Sequence, residues 1–315
     1  MERVWLPALS RDVSRVALGT WSMGGWMWGG ADKDAARATI ERALDAGIDI
    51  IDTAPAYGFG LSEELLGEVL DKRGTRGEVV IATKLGLSWD SRHEPWRDSS
   101  PGRIREEVVA SLSRLRTDYI DLYQVHWPDP KVELDQTAAE LRMLVEEGLV
   151  RAVGVCNYSA DQMQEFCAGG RLDASQFRYN LFERVVEEDV LPFCRARGLI
   201  TLAYSPLARG LLSGKMTRSH EATDQARRGD MFHGEAYARH LSAVKRLDAF
   251  AQEQYGRRVV HLAIRWLLDQ PGLTIALWGA RKPEQIDAAE GVDGFTLDAS
   301  AMVEIDRILA EELGA

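Results

Sequence analysis

Eight times along this chain a short apolar, β-branched run gives way to a polar turn and then to a helical pattern. The runs cover 16–19, 48–51, 79–82, 120–123, 150–155, 174–177, 199–203 and 273–277. The helical stretches after them cover 34–46, 62–70, 102–115, 134–146, 160–166, 189–196, 241–253 and 283–289. Runs that are almost continuously apolar fit strands buried on both faces, as in parallel sheets covered by helices. Eight such units within 315 residues match a closed (β/α)8 TIM barrel. The competing doubly wound sheet carries a Gly-rich dinucleotide turn after its first strand. Residues 19–25 read GTWSMGG and do not fit G-x-G-x-x-G, so an α/β barrel is expected, as a single domain over 1–315.

Segment 208–238 breaks the rhythm. It holds Arg227-Arg228-Gly229-Asp230, several His and little apolar periodicity. A long loop after strand 7 is expected there, functional or mobile. Residues 300–313 place Met302, Ile305, Ile308, Leu309 and Leu313 at helical spacing, which predicts a C-terminal helix covering the barrel.

Composition narrows the function. Asp+Glu number 49 against 38 Lys+Arg, a net charge of −11, so the broad positive field of a nucleic-acid binder is missing. No apolar run approaches the ~20 residues of a membrane span. Residues 1–5 lack the charged-then-apolar order of a signal peptide. Cys156, Cys167 and Cys194 form an odd set without CxxC spacing, which fits reduced thiols in a cytoplasmic protein. A small-molecule partner is expected, with neither nucleic acid nor membrane.

Active sites of such barrels lie at the C-terminal strand ends. That rule singles out 52–58 with Asp52 and Tyr57 after strand 2, Thr83-Lys84 after strand 3, Gln124-Val125-His126-Trp127 after strand 4, and Cys156-Asn157-Tyr158 after strand 5. Singly, a Tyr or His there is packing. Together at one mouth they form a proton-transfer set, because burying a Lys beside an Asp is costly without a purpose. A free Tyr has a pKa of about 10, and a cation within ~4–6 Å lowers it by about 1–3. Lys84 is expected to supply that cation, Asp52 to keep Lys84 charged, and His126 to orient a carbonyl oxygen. The set has no nucleophile of its own, so a redox cofactor must bring hydride.

Other motifs carry less. Gly214-Lys215 fails as a phosphate loop, because Arg209 stands where the first glycine belongs and Met216 where Ser/Thr belongs. His233 and His240 are seven apart with no ligand pattern around them, so no metal site is expected. Trp26, Trp28, Trp89 and Trp96 fall in loops at the mouth, either as packing or as a pocket wall. Gly279, Arg281, Lys282 and a helix opened by Pro283 make an anion site after the last strand.

These stretches resemble the aldo-keto reductases over nearly the whole chain. The similarity is carried by 52–58 (DTAPAYG), 81–84 (IATK), 117–130 (TDYIDLYQVHWPDP), 154–158 (GVCNY), 179–184 (YNLFER), 203–207 (AYSPL) and 279–285. The chain looks most like a bacterial branch with general-stress and inositol-locus reductases. The resemblance implies NADPH (NADP+) as cofactor and Tyr57 as catalytic acid, partnered by Asp52, Lys84 and His126. It implies Asn157 and Gln176 on the nicotinamide carboxamide and Tyr204 stacked on the ring. Ser205, Leu207, Arg209, Gly210 and Lys215 would follow the pyrophosphate. Gly279, Arg281 and Gln285 would hold the adenosine end, with Arg281 facing the 2′-phosphate. Cys156 replaces a common Ser, and Ala289 replaces a common Asn near the adenine.

The expected activity is reduction of aldehydes and ketones, with small polyhydroxy aldehydes such as glyceraldehyde as substrate class and the alcohol or polyol as partner in the reverse direction. A monomer or weak homo-oligomer is expected. Two alternatives stay open. One is a redox-sensing regulatory subunit of the same fold. The other is a barrel lyase using Lys84 as a Schiff base.

Overall fold

A computed structural model describes residues 1–219, 225–227 and 229–314. Eight parallel strands close into a barrel: β1 (Val16–Gly19), β2 (Ile50–Asp52), β3 (Val80–Leu85), β4 (Ile120–Val125), β5 (Val150–Cys156), β6 (Ala174–Arg178), β7 (Ile200–Tyr204) and β8 (Ile275–Gly279). β8 pairs back onto β1 from Ala276↔Val16 to Gly279↔Gly19, so the sheet has no free edge. The open doubly wound sheet is thereby excluded.

The helices are α1 (Lys33–Asp45), α2 (Leu61–Arg73), α3 (Pro101–Leu115), α4 (Leu134–Glu146), α5 (Ala160–Gly169), α6 (Val190–Arg197), α7 (Gly234–Tyr255), α8 (Val259–Leu268), α9 (Glu284–Asp287) and α10 (Ala299–Leu313). Several start where a short polar side chain satisfies a free N–H of the first turn. Asp32 accepts from Ala35 N, Ser159 from Gln162 N and Asp298 from Ala301 N.

One expected element is reassigned. The stretch 241–253 lies inside α7, which begins already at Gly234 and packs against the covering helix α10. The helix that packs on β8 is α8, VVHLAIRWLL. It is buried almost all round, and its two polar side chains, His261 and Arg265, form only a narrow stripe one turn apart. Two hairpins were also not expected. Arg3–Leu6 pairs with Arg11–Ser14, and Leu87–Trp89 pairs with Pro95–Arg97. Of segment 208–238, residues 220–224 and 228 lie outside the described residues. The remainder contains short 3-10 turns at Ala208–Ser213, Gln225–Arg227 and Asp230–Phe232 before α7 begins.

The barrel interior is an apolar plug. Leu6 and Val13 of the N-terminal hairpin enter from below and meet Ala17, Ile50, Val80, Leu122, Ile200, Leu202, Ile275 and Leu277. Three carboxylates pin the floor by taking N–H groups from neighbouring strands. Asp49 accepts from Ser14 N (2.8 Å), Asp121 from Ile81 N (3.0 Å) and Asp173 from Val153 N (2.9 Å). Each also pairs with an arginine: Arg3 with Asp49, Arg76 and Arg151 with Asp121, Arg171 with Asp173.

Asp121 is the most deeply buried of these anchors, with 1% of its side chain exposed. Replacing it by Ala takes the carboxylate from two guanidinium groups and leaves the Ile81 N–H without its acceptor. Asp121→Ala is expected to cost about 3 kcal/mol, read as a lowered urea midpoint at unchanged m-value.

Candidate active site

The plug ends below the C-terminal rim, where the inward side chains turn polar. Lys84 on β3 stands opposite Gln124 on β4, and Gln124 stands opposite Gly154 on β5. Cys156 stands opposite Gln176 on β6. A Cβ on Gly154 would lie 2.8 Å from Gln124 Cγ, so only glycine leaves room for that amide.

Asp52 and Lys84 form a buried ion pair at this level. Lys84 Nζ donates to Asp52 Oδ1 (2.7 Å), Thr53 O (3.0 Å) and Tyr57 Oη (3.1 Å). An ammonium has three N–H donors, and all are used. The other carboxylate oxygen, Asp52 Oδ2, accepts from Gln176 Nε2 at 2.7 Å. The His126 ring stands edge-on to Tyr57, with centroids 5.8 Å apart. The structure therefore brings Asp52, Tyr57, Lys84 and His126 together at one mouth.

Tyr57 is held there by backbone contact. A Cβ on Gly24 would sit 2.3 Å from the Tyr57 carbonyl carbon, and one on Gly58 would sit 2.3 Å from Gly24 O. The loops after β1 and β2 thus meet main chain to main chain. Gly58 also has φ +70°, a left-handed conformation that glycine takes without strain.

The electrostatics correct one expectation. Burial pushes the Tyr57 phenol well above its ordinary value, and the opposing pull of Lys84 does not reverse this, in part because Asp52 sits close by. The phenol is firmly protonated rather than acidified. Burial also works against the Lys84 ammonium, but the Asp52 charge at 2.7 Å overcomes it and raises its pKa. Burial and then the Lys84 charge push His126 well below the ordinary imidazole range, so the ring is neutral. Burial pushes the Cys156 thiol up to about 12, which makes it unreactive.

The groups matched to a nicotinamide cofactor border this set. Asn157 has φ +64°. Its Nδ2 donates to His126 O (3.0 Å) and Cys156 Sγ (3.2 Å), while its Oδ1 accepts from Tyr204 Oη (2.8 Å). Beyond β7, Ser205, Ala208, Arg209 and Gly210 all have positive φ, from 45° to 97°. Strained backbone of this kind gathers at ligand clamps. Leu207 O accepts the N–H groups of Gly210 and Leu212 that shape the turn. The Arg209 guanidinium donates to Ala226 O (3.1 Å), faces the Phe232 ring and lies 3.7 Å from Glu183 Oε1, while its Nε is buried without a hydrogen-bond partner. That unused Nε–H on a cation fits an anionic group such as a pyrophosphate. Lys215 is exposed after the Gly214 turn.

At the end of β8 a Cβ on Gly279 would meet nothing within 4 Å, so its face is open. Gln285 Oε1 accepts from Arg281 N (2.7 Å) and Lys282 N (3.0 Å), which builds the turn there. The Arg281 guanidinium donates to Trp28 O (2.9 Å) and Gly30 O (2.8 Å) across the mouth. Ala289 is fully buried.

Of the four tryptophans, Trp26 and Trp89 flank Phe59, which also stacks on His93 at 3.9 Å. Trp28 packs edge-on against Trp21, and Trp96 is exposed. Phe59 and Gly24 were not singled out from sequence, whereas Gln124 was read at the end of strand 4. It is the one amide within the strand IDLYQV. Among the described residues, no three His, Cys, Asp or Glu side chains are placed to hold a metal ion. Among the same residues, no helix is long and apolar enough to cross a membrane.

Residues 15–310 match the model of the Aldo/keto reductase family. The chain is 49% identical over 300 residues to aldo-keto reductase YhdN of Bacillus subtilis, covering 95% of this chain and 90% of that protein. It is 36% identical to the NADH-specific methylglyoxal reductase of Escherichia coli, covering 98% and 99%. The solved structure of glycerol dehydrogenase AKR11B4 from Gluconobacter oxydans superposes with a TM-score of 0.93 at 43% identity, covering 99% of this chain and 96% of that one. A closed barrel with a buried Lys–Asp–Tyr set at its C-terminal rim thus coincides with similarity along the chain. The chain belongs to the aldo/keto reductase family. It is an NAD(P)H-dependent oxidoreductase.

The neutral state of His126 has a consequence for stability. Below the ordinary value of about 6.5, the unfolded chain takes up a proton that the folded imidazole refuses. The folded pKa is depressed, so the stability contribution is present above about 6.5 and is lost as pH falls toward the folded value. On acidification the wild type should lose up to about 1.4 kcal/mol per pH unit more than His126→Asn, measured by urea unfolding at pH 8 and pH 5. Parallel losses in both proteins would contradict a depressed His126.

Proposed function

We propose that this chain, acting as one barrel domain over 1–315, reduces aldehydes and ketones with NADPH, and that Tyr57 is the general acid. The single observation that carries the reading is the Tyr57 hydroxyl 3.1 Å from a buried, carboxylate-paired Lys84. A bound reduced nicotinamide supplies the hydride. Asn157 and Gln176 would hold its carboxamide end and Tyr204 its ring. Ser205, Leu207, Arg209, Gly210 and Lys215 would follow the phosphates, and Gly279, Arg281 and Gln285 the adenosine end.

The carbonyl oxygen of the substrate accepts the Tyr57 proton as negative charge develops on it. A protonated phenol suits that direction. The adjacent Lys84 ammonium stabilises the phenolate left behind, and Asp52 keeps the ammonium charged. Neutral His126 donates one N–H to the same oxygen and orients it. In the alcohol-oxidising direction the phenolate receives the proton. The competing Schiff-base chemistry needs a neutral Lys84 with a free lone pair. All three N–H groups of Lys84 are instead donated to acceptors, and its pKa is raised.

Small oxygen-rich carbonyl compounds such as glyceraldehyde are the proposed substrates. The names of two similar proteins, a methylglyoxal reductase and a glycerol dehydrogenase, support that size and polarity. NADPH is proposed over NADH because Arg281 and Lys282 place two cations beside the open Gly279 face. The three free thiols support a cytoplasmic setting. The exposed large apolar residues Trp5, Trp96, Val109, Met143, Val185 and Val303 each lie on a different element, which supports a monomer or a weak homo-oligomer.

Tyr57→Phe should bind NADPH as the wild type does and lose about 10²–10⁴-fold in aldehyde reduction. Equal turnover in the two proteins would refute the assignment. In fluorescence titrations Arg281→Met should weaken NADPH about tenfold or more, through loss of a charged hydrogen bond, and leave NADH unchanged. An equal effect on both cofactors would place Arg281 away from the 2′-phosphate.

A further inference from the structure

Resting on that reading of Tyr57, we infer that Glu63 and Thr83 form a clamp on the outer face of the barrel that sets the Tyr57–Lys84 separation. Successive strand residues point to opposite faces. Lys84 points into the barrel, and its neighbour Thr83 points outward toward the helices. There Thr83 Oγ1 donates to Glu63 Oε1 at 2.6 Å. Glu63 lies in the first turn of α2 and is fully buried. Its second oxygen accepts from Arg114 Nε at 2.7 Å and from Ser111 Oγ at 3.4 Å on α3.

The residue before Glu63 completes the link to the phenol. Ser62 N donates to Tyr57 O at 3.1 Å. The Ser62 hydroxyl accepts from Thr53 Oγ1 (3.0 Å) and donates to Thr20 Oγ1 (2.7 Å), which donates to Asp52 O (3.0 Å). The backbone of Tyr57, Asp52 and Thr53 is therefore tied to the start of α2, and the start of α2 is tied through Glu63 to the residue beside Lys84. The Lys84 ammonium comes from β3 and the Tyr57 hydroxyl from the turn after β2. The Glu63–Thr83 bond ties β3 to α2, the helix that follows that turn, and lies outside the reacting set.

A carboxylate without exposure is costly unless hydrogen-bonded and paired. Arg114 alone would satisfy the charge of Glu63, and an apolar residue would pack at Thr83 as it does at Ile81 two positions earlier. The short hydroxyl-to-carboxylate bond at Thr83 adds direction, since it fixes the register of α2 against β3. Glu63 and Thr83 are positioning residues and do not touch substrate or cofactor.

Thr83→Val removes one donor at nearly constant volume, and Thr83→Ser keeps the hydroxyl. Thr83→Val should lose about 10–100-fold in kcat for aldehyde reduction, as a displacement of about 1 Å would cause. Its nicotinamide Kd should stay within about twofold, because the interaction lost acts on the reacting geometry alone. Thr83→Ser should recover most of that loss. A crystal structure of Thr83→Val should show Tyr57 Oη and Lys84 Nζ drawn apart from 3.1 Å. If Thr83→Val does not fold, the triple change Glu63→Met, Thr83→Val and Arg114→Met replaces the carboxylate together with its hydroxyl and guanidinium partners by apolar groups, which is nearly neutral for stability, and should show the same loss of kcat. Wild-type kcat, or an unchanged Tyr57–Lys84 distance in whichever of these variants folds, would overturn the clamp. Should the wild type reduce no carbonyl compound, the proposed function falls, and the crystallographic distance still decides the clamp.

Discussion

A lysine ammonium with no solvent contact sits at the top of an apolar barrel, and one carboxylate makes that tolerable. Transfer of an isolated ammonium out of water costs several kcal/mol even after relaxation. Asp52 at 2.7 Å offsets much of that cost, and Thr53 O and Tyr57 Oη take the remaining N–H donors. Asp52 ends β2 and Lys84 lies on β3, so the pair forms only once the strands are in register. The chemistry of the rim is inseparable from closure of the sheet beneath it.

The surrounding structure holds the phenol where that charge can act. Gly24 and Gly58 let two loops touch main chain to main chain, and a row of hydroxyls from Thr20 through Ser62 to Thr53 fastens the end of β2. On the other side Tyr204 donates to Asn157, whose amide is spread over His126 O and Cys156 Sγ. The proton-transfer side is thus rigid and built on strand ends. The side proposed to take the adenosine and phosphate groups is made of left-handed turns and loop carbonyls. This division suits a reaction in which one atom must be positioned closely while a long, anionic cofactor is gripped at several points.

The barrel was legible in the sequence because its strands are buried on both faces and separated by amphipathic helices. The stretch 134–146 coincides with α4 to the residue. The same burial hid α8, where only His261 and Arg265 break the apolar run VVHLAIRWLL. The two hairpins were missed for another reason. RVWL and RDVS are short, and their register depends on the barrel floor they plug. At the site, the strand-end rule found Asp52, Tyr57, Lys84 and His126, because each follows directly on an apolar run. The same rule reached Thr83 and Gln124 beside them, and it passed over Glu63, which lies in the first turn of α2 rather than at a strand end. The direction of the Tyr57 shift was also beyond the sequence, since it depends on how burial, Lys84 and Asp52 balance in three dimensions.

The most direct test removes the ammonium and keeps its volume. With NADPH already bound to Lys84→Met, a single turnover of a small aldehyde followed by stopped-flow absorbance reports the chemical step alone. Slowing by about 10²-fold or more at unchanged NADPH affinity is the expected result, since charge stabilisation at the phenol would be lost. A burst as fast as that of the wild type would show that Tyr57 needs no buried cation, and the mechanism built on the Asp52–Lys84 pair would be wrong.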